Sequence, residues 1–248
     1  MDPLILALLA LTGLCAGFVD AVAGGGGLIA LPVLLSIGMP PVAALATNKL
    51  QGIVGTAVAA ATYWRRGLVR LADIALPFLL SLAGAFLGAA IVKRIDTSSL
   101  AVIVPGVLIL VALYFLFAPR LSDEERPPRL KFAVWAPVFG FAIGFYDGIF
   151  GPGTGTFLTA VFAVVFRLGL TRAAAHTKFC NAASNLGALL LFLPAGDVVL
   201  PAALAMIAGQ LSGGWLGAVT GIRFGAQVIR PVVVIVAIAL AIRLLWPT

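Results

Sequence analysis

Apolar residues in this chain are grouped into ten long segments separated by short polar stretches. The segments cover residues 3–22, 28–37, 43–64, 71–92, 98–118, 131–150, 155–168, 173–193, 198–219 and 226–246. Several approach the length of about 20 residues that an α-helix needs to cross a bilayer. Runs such as 100–118 lack the alternation of a membrane β-barrel strand. The pattern therefore predicts an all-α, polytopic membrane protein.

Composition supports this class and excludes two others. Of the 248 residues, 62% are apolar and 10% are charged, and the mean hydropathy is +1.16. A soluble domain carries about a quarter charged residues, and a disordered chain is poor in apolar ones. The net charge of +7 is attributed to arginine-rich loops, since no basic patch interleaved with aromatic residues suggests nucleic-acid binding.

One strongly polar stretch, residues 120–131, divides the chain into five apolar segments on each side. We predict a first transmembrane repeat over 1–119, a charged cytoplasmic linker over 120–131 and a second repeat over 132–248. The repeats are supported by four matches, in order and at offsets of 127 or 129 residues. The matched pairs are 17–20 with 144–147, 24–27 with 151–154, 47–49 with 176–178, and 84–89 with 213–218.

The short segments 28–37 and 155–168 each follow a glycine-rich loop and leave two topologies open. A short segment either completes a broken span, giving parallel halves, or forms a re-entrant hairpin or a separate crossing, giving inverted repeats. Inverted halves put eleven basic residues on one face and three on the other, whereas parallel halves split them eight to six. The excess of Lys and Arg on cytoplasmic faces favours inverted repeats with a cytoplasmic linker and an external N-terminus. The eleven are Arg65, Arg66, Arg70, Arg120, Arg126, Arg129, Lys131, Arg167, Arg172, Arg223 and Arg230, and the three are Lys93, Arg94 and Arg243.

Four ionisable residues lie in apolar segments next to the glycine loops: Asp20, Lys49, Asp147 and Lys178. A charge inside a membrane usually faces a cavity or a partner. One interpretation is two internal ion pairs. The other is a central site at which two ammonium groups, brought together by inverted repeats, attract a small anion.

Neighbouring residues add candidates for an anion site. Gly25 and Gly26 precede a helix, whose free N–H groups attract anions and to which glycine permits close approach. The polar candidates are Thr47, Asn48, Gln51, Thr154, Asn181 and Asn185. Hydrogen bonding between packed helices explains these polar residues equally well.

His176 is the only histidine, and it either carries protons or braces a helix end. The spacings Gly84/Gly88 and Gly209/Gly213/Gly217 predict helix packing faces and permit a homodimer. No motif of a hydrolase, P-loop or zinc site occurs, so we expect no enzyme activity, metal or cofactor.

The motifs around these residues resemble the TauE/SafE sulfite-exporter family, and within it the YfcA-like branch. The resemblance covers essentially the whole chain. The motif positions are Asp20, Gly24 to Gly27, Thr47, Asn48, Lys49, Gln51, Asp147, Gly148, Gly151, Pro152, His176, Lys178 and Asn181. It implies a multi-pass inner-membrane permease for sulfite, sulfonates or related sulfur-containing anions.

We therefore expect a secondary transporter of a small anion, sulfite or an organosulfonate first, working by alternating access in a bacterial-type cell membrane. Lys49 and Lys178 would supply charge, and Asp20, Asp147 and His176 would act in coupling or internal ion pairing, with a proton or sodium ion as coupling ion. Four alternatives stay open: an anion channel, a permease for a neutral or zwitterionic metabolite, a membrane-embedded enzyme and a non-transporting assembly partner.

Overall fold

The structure, a computed structural model, describes residues 1–95 and 123–225, together with residues 99 and 103. Within these residues the chain forms eight α-helices and no strand. The helices are α1 (Pro3–Ala23), α2 (Gly26–Ser36), α3 (Pro41–Arg65), α4 (Leu71–Val92), α5 (Phe132–Ile149), α6 (Thr154–Val164), α7 (Leu170–Phe192) and α8 (Leu200–Phe224). The predicted segments 98–118 and 226–246, and Arg120, Arg230 and Arg243, lie outside the described residues, apart from residues 99 and 103.

Four of these helices are long and apolar enough to cross a membrane: α1 over Pro3–Val22, α4, α5 and α8. The prediction of a polytopic all-helical membrane protein is thus confirmed. Local signals set the helix ends, as in α1, where Asp2 accepts a hydrogen bond from the Leu4 amide and Gly24 ends the helix with a φ of 84°.

The two short helices each fold back along the helix that precedes them. Both α2 and α6 have 11 residues, about 16 Å of helix, which is half of a bilayer core. The ring of Phe132 at the start of α5 lies 6.0 Å from that of Phe162 near the end of α6, as expected for an antiparallel hairpin. The hairpin tips meet, because a Cβ on Gly155 would lie 2.5 Å from the Cα of Gly24.

Glycine ladders join helices of different halves. Along the α1–α8 interface, Gly209, Gly213 and Gly217 contact in turn the backbone at Ala10, Leu14 and Phe18, so these helices run parallel. Along the α4–α5 interface, Gly140, Gly144 and Gly148 contact in the same way Pro77, Ser81 and Ala85. The predicted small-residue faces at 84/88 and 209/213/217 are therefore used for packing within the chain.

The buried apolar side chains form two clusters, one around each short helix. The first surrounds α2 with residues from the start of α3 and the end of α7, including Leu31, Leu34 and Phe192. The second surrounds α6 with residues from the end of α3 and the start of α7, including Tyr63 and Phe162. The buried polar side chains in the middle of α3 and α7, among them Lys49 and Lys178, lie between these two clusters.

Candidate functional site

A polar cavity lies where the hairpin tips meet the middle of α3 and α7. The centres of water-sized molecules have a volume of about 30 Å³ in it, and the space between its atoms is about 370 Å³ when the part that opens to solvent is counted. Its walls are built from glycine backbone, five side-chain amides, one threonine and two carboxylates. They are formed by Asp20, Gly24, Gly26, Gly27, Asn48, Gln51, Gly52, Thr56, Asp147, Gly151, Gly155, Asn181, Asn185 and Gln210.

Two buried ion pairs border the cavity, and each joins the two halves of the chain. Lys49 on α3 lies 2.7 Å from a carboxylate oxygen of Asp147 on α5, with side chains 1% and 2% exposed. Lys178 on α7 lies 3.2 Å from Asp20 on α1, with side chains 0% and 12% exposed. A buried ammonium needs a counterion, and in both cases it is the aspartate of the other half.

The two ammonium groups differ in how well they are satisfied. Lys178 donates to the main-chain carbonyl oxygen of Asp20 as well as to its carboxylate. Lys49 has the ion pair with Asp147, but its Nζ makes no hydrogen bond of good geometry within the described residues. Because an ammonium has three donors, Lys49 keeps donor capacity that Lys178 has used.

Each carboxylate has a second partner from its own hairpin tip. The hydroxyl oxygen of Thr154, the first residue of α6, lies 2.6 Å from Asp147 Oδ1. Asp20 Oδ1 accepts from the Gly26 amide at 3.4 Å, at the start of α2, and from Asn181 Nδ2 at 3.5 Å. Both aspartates therefore fix the position of a short helix relative to a lysine.

Three amides form a chain of hydrogen bonds across the cavity wall. Gln210 on α8 donates from Nε2 to Gln51 Oε1, and Gln51 donates from Nε2 to Asn48 Oδ1 at 2.7 Å. Gln210 Oε1 is buried without a hydrogen-bond partner in the part of the chain that the structure describes. Sequence reasoning missed Gln210, although a lone amide in the apolar segment 198–219 is a signal for a buried polar site.

The structure brings together part of the predicted site. Gly26, Asn48, Gln51, Asn181, Asn185, Asp20 and Asp147 line the cavity, and Gly24, Gly27, Gly52, Thr56, Gly151, Gly155 and Gln210 join them. Lys49 and Lys178 are each paired with an aspartate and are not lining residues, whereas both were expected to face a shared cavity. The electrostatic demand for a counterion explains this difference.

The remaining candidates lie outside the lining. Gly25 is the N-cap residue of α2, and Thr154 contacts the cavity through Asp147. Thr47 accepts a hydrogen bond from the Val199 amide at 3.0 Å and ties α3 to the start of α8. His176 has its Nδ1 2.8 Å from the Arg172 carbonyl oxygen and packs against the rings of Phe132 and Phe162.

Amide donors, carboxylate acceptors and glycine backbone surround the small space of the cavity, and the two ammonium groups are paired with its carboxylates. Among the described residues, no three His, Cys, Asp or Glu side chains lie close enough together to hold a metal ion.

Comparison with known proteins places this chain among membrane transporters. The family described as "Sulfite exporter TauE/SafE" matches residues 9–244. A probable membrane transporter, ORF9 of Sinorhizobium sp, is 44% identical over 97% of this chain and 92% of its own length. The probable membrane transporter YfcA of Escherichia coli K12 is 39% identical over 99% of this chain and 91% of its own length.

A probable membrane transporter of Haemophilus influenzae is 38% identical over 98% of this chain and 95% of its own length. No solved structure matches the chain. The matches cover nearly the full length of this protein and of each relative, and the relatives' names agree on transport. The chain is a multi-pass membrane transporter and belongs to the TauE/SafE family.

Proposed function

We propose that this transporter is a secondary permease or exporter for a small anion, with sulfite and organosulfonates as the first candidates. It exposes the central cavity to each side of the membrane in turn. The observation that carries the anion assignment is Lys49, an ammonium that is 1% exposed, borders the cavity and keeps unused donors. The description of the matching family as a sulfite exporter supports the choice of sulfur anions.

Exchange of partners gives a binding mechanism. In the described state, Asp147 neutralises Lys49 at 2.7 Å. An anion that enters from the cavity competes with this carboxylate for the ammonium, while Thr154 keeps a hydrogen bond on Asp147. The empty carrier thus avoids an unpaired buried charge, which is strongly unfavourable in a membrane interior.

We infer that the two halves are inverted repeats. Helix α1 runs parallel to α8, and α5 runs parallel to α4. Helix α4 is antiparallel to α3, because only the five residues 66–70 connect them. Tyr63 near the end of α3 donates to the Ala21 carbonyl near the end of α1, so α1 and α3 also agree in direction. These contacts support opposite directions for α1 and its counterpart α5.

The distribution of charge supports a bacterial inner-membrane orientation with the linker inside. One end of the bundle contains the last residues of α3 and α8 and the first residues of α4, α5 and α7. Nine of the described basic residues lie at this end. These are Arg65, Arg66, Arg70, Arg126, Arg129, Lys131, Arg167, Arg172 and Arg223, against Lys93 and Arg94 at the other end. The excess of positive charge favours the cytoplasm for the first end.

A thermal-unfolding assay on purified protein tests the anion assignment. Sulfite, sulfate, thiosulfate and methanesulfonate are each added to the native chain, to Lys49→Gln and to Lys93→Gln. An anion present at about 100 times its dissociation constant adds about 2.7 kcal/mol of stability. We expect selective stabilisation of the native chain and of Lys93→Gln, and none of Lys49→Gln.

Lys93 is a matched control, because it also pairs with an aspartate, Asp197, at 2.8 Å but lies at the bundle end with 31% of its side chain exposed. Equal stabilisation of Lys49→Gln and the native chain by an anion contradicts the assignment. In proteoliposomes, saturable counterflow of the same anion separates a carrier from an anion channel.

A permease for a zwitterionic metabolite is the second candidate, favoured by one observation. Asp20 and Asp147, rather than the lysines, line the cavity. A carboxylate there is a suitable partner for a substrate ammonium group. Ethanesulfonate and 2-aminoethanesulfonate differ by this one group, and stabilisation by the second compound alone selects this candidate.

A further inference from the structure

The two halves of the chain are chemically different at the positions equivalent to the amide chain. At the offset of 129 residues, Gln51 corresponds to Cys180, Gln210 to Ser81, and Asn48 to Thr177. In one half, Gln210, Gln51 and Asn48 form the amide chain across α8 and α3. In the other half, the Ser81 hydroxyl donates to the main-chain carbonyl oxygen of Cys180 at 2.8 Å. This hydrogen bond ends at the backbone and does not continue to a third side chain.

The direction of the amide chain decides what Asn48 presents to the cavity. Gln210 Nε2 donates to Gln51 Oε1, so the Gln51 side chain is oriented with its amide nitrogen toward Asn48 Oδ1, to which it donates. Because Asn48 uses its oxygen in this bond, its Nδ2 remains for the cavity. Within the described residues no acceptor is hydrogen-bonded to that nitrogen, and the Asn48 residue is 5% exposed.

Asn48 Nδ2 and Lys49 Nζ face the same small space in front of Gly151. A Cβ built on Gly151 would lie 3.4 Å from Lys49 Nζ and 3.9 Å from Asn48 Nδ2. Gly151 has a φ of 88° and lines the cavity. The missing side chain therefore leaves room beside two nitrogen donors, one charged and one neutral, which is a suitable environment for an oxyanion oxygen.

We propose that this space, bounded by Gly151, Lys49 Nζ and Asn48 Nδ2, holds the anionic group of the substrate, and that Gln210 is a positioning residue for it. Gln210 acts through Gln51: it fixes both amides so that a donor and not an acceptor reaches the anion. The inference rests on the proposed function. It adds where the charged group of the substrate binds, and it names Gln210 on α8 as a residue that determines which anions are bound.

Removing the donor of Gln210 tests this role. In Gln210→Met, nothing fixes Gln51 Oε1, so the Gln51 and Asn48 amides rotate and Asn48 Oδ1 can face the anion. Methanesulfonate offers only acceptors, whereas 2-hydroxyethanesulfonate also offers a hydroxyl donor. We expect the affinity for methanesulfonate to fall about tenfold, as for the loss of a hydrogen bond to a charged group, and that for 2-hydroxyethanesulfonate to fall less.

The measurement is calorimetric titration of the purified full-length chain with these two sulfonates. Gln210→Ser, which introduces the residue found at the equivalent position 81, is the second variant if the methionine variant does not fold. Ser81→Ala is the matched control, because Ser81 belongs to the half without an amide chain and does not line the cavity. We expect its ratio of the two dissociation constants to equal that of the native chain.

The outcomes separate this inference from the proposed function. If neither sulfonate nor sulfite binds the native chain, the anion assignment fails and this inference fails with it. If the native chain binds methanesulfonate and Gln210→Met keeps the native ratio of dissociation constants, the role of Gln210 is wrong while the anion assignment stands. A shift in the ratio for Gln210→Met but not for Ser81→Ala supports the inference.

Discussion

At the scale of single residues, the site is organised by the partners of its two aspartates. The charges of a buried ion pair have lost their hydration, so each needs its counterion and further polar partners. Asp147 has Lys49 2.7 Å from one carboxylate oxygen and the Thr154 hydroxyl on the other. The Thr154 hydroxyl thus connects the start of α6 to the Lys49–Asp147 ion pair.

Replacing Thr154 by valine removes this link without changing the side-chain shape much. We expect a loss of about 1–3 kcal/mol in the free energy of unfolding, because a buried charged acceptor loses a hydrogen bond. Thr154→Ser should keep native stability. Thermal unfolding in detergent measures the effect, with Thr62→Val as control, since among the described residues the Thr62 hydroxyl bonds only the Val58 carbonyl oxygen of its own helix. Equal unfolding temperatures for Thr154→Val and Thr62→Val would contradict the role.

Sequence alone identified most of these residues but not their pairing. Asp20, Lys49, Asp147 and Lys178 stand out because charges are rare in apolar segments. Their partners across the halves depend on how four helices meet in space, which no spacing along the chain encodes. Gln210 stands out in the same way as a lone amide in an apolar helix, but its partner lies 159 residues away, so the sequence does not show which site it joins.

At the scale of helices, the bundle is held by two glycine interfaces that cross between halves. In a membrane, helices associate through close packing and small residues rather than through the hydrophobic effect. At Gly144 and Gly213 a Cβ would overlap a carbonyl oxygen of the facing helix, that of Ser81 and that of Leu14 respectively. The sequence showed the spacings 84/88 and 209/213/217 as packing faces, but not which helix each face contacts and not the face that contains Gly144.

Valine at Gly213 or Gly144 should force the paired helices apart. We expect each variant to lose at least about 1–3 kcal/mol of stability, the usual effect of an overpacked interface, and to yield less monodisperse protein. Size-exclusion chromatography and thermal unfolding measure both. Leu211→Val, at a 48% exposed position on α8, is the control. Native-like stability of the glycine variants would contradict this prediction, because it would show that the paired helices can move apart without loss of stability.

At the scale of the whole molecule, the polar cavity lies between two apolar clusters at opposite ends of the bundle. The first cluster surrounds α2 and the second surrounds α6. If the halves are inverted, one cluster closes the cavity toward each side of the membrane. Alternating access then requires each cluster to open in turn, with α2 or α6 as its central element.

Cysteine labelling distinguishes inverted from parallel halves. Arg66, in the α3–α4 connection, and Ala195, in the α7–α8 connection, are equivalent at the offset of 129 residues and both are exposed. In a Cys15→Ala background, we expect an impermeant maleimide to label Ala195→Cys in intact cells and Arg66→Cys only after permeabilisation. The background without a new cysteine is the control, because Cys180 is buried. Parallel halves would give both cysteines the same accessibility.

The pairing of each lysine with an aspartate of the other half has a consequence for how the protein is made. Lys178 is synthesised 158 residues after Asp20, and Asp147 follows Lys49 by almost a hundred. During synthesis, the first helices therefore reach the insertion machinery carrying an acid and a base whose final partners do not yet exist. Until α7 emerges from the ribosome, water, the machinery or a temporary contact between Asp20 and Lys49 must shelter these charges from lipid.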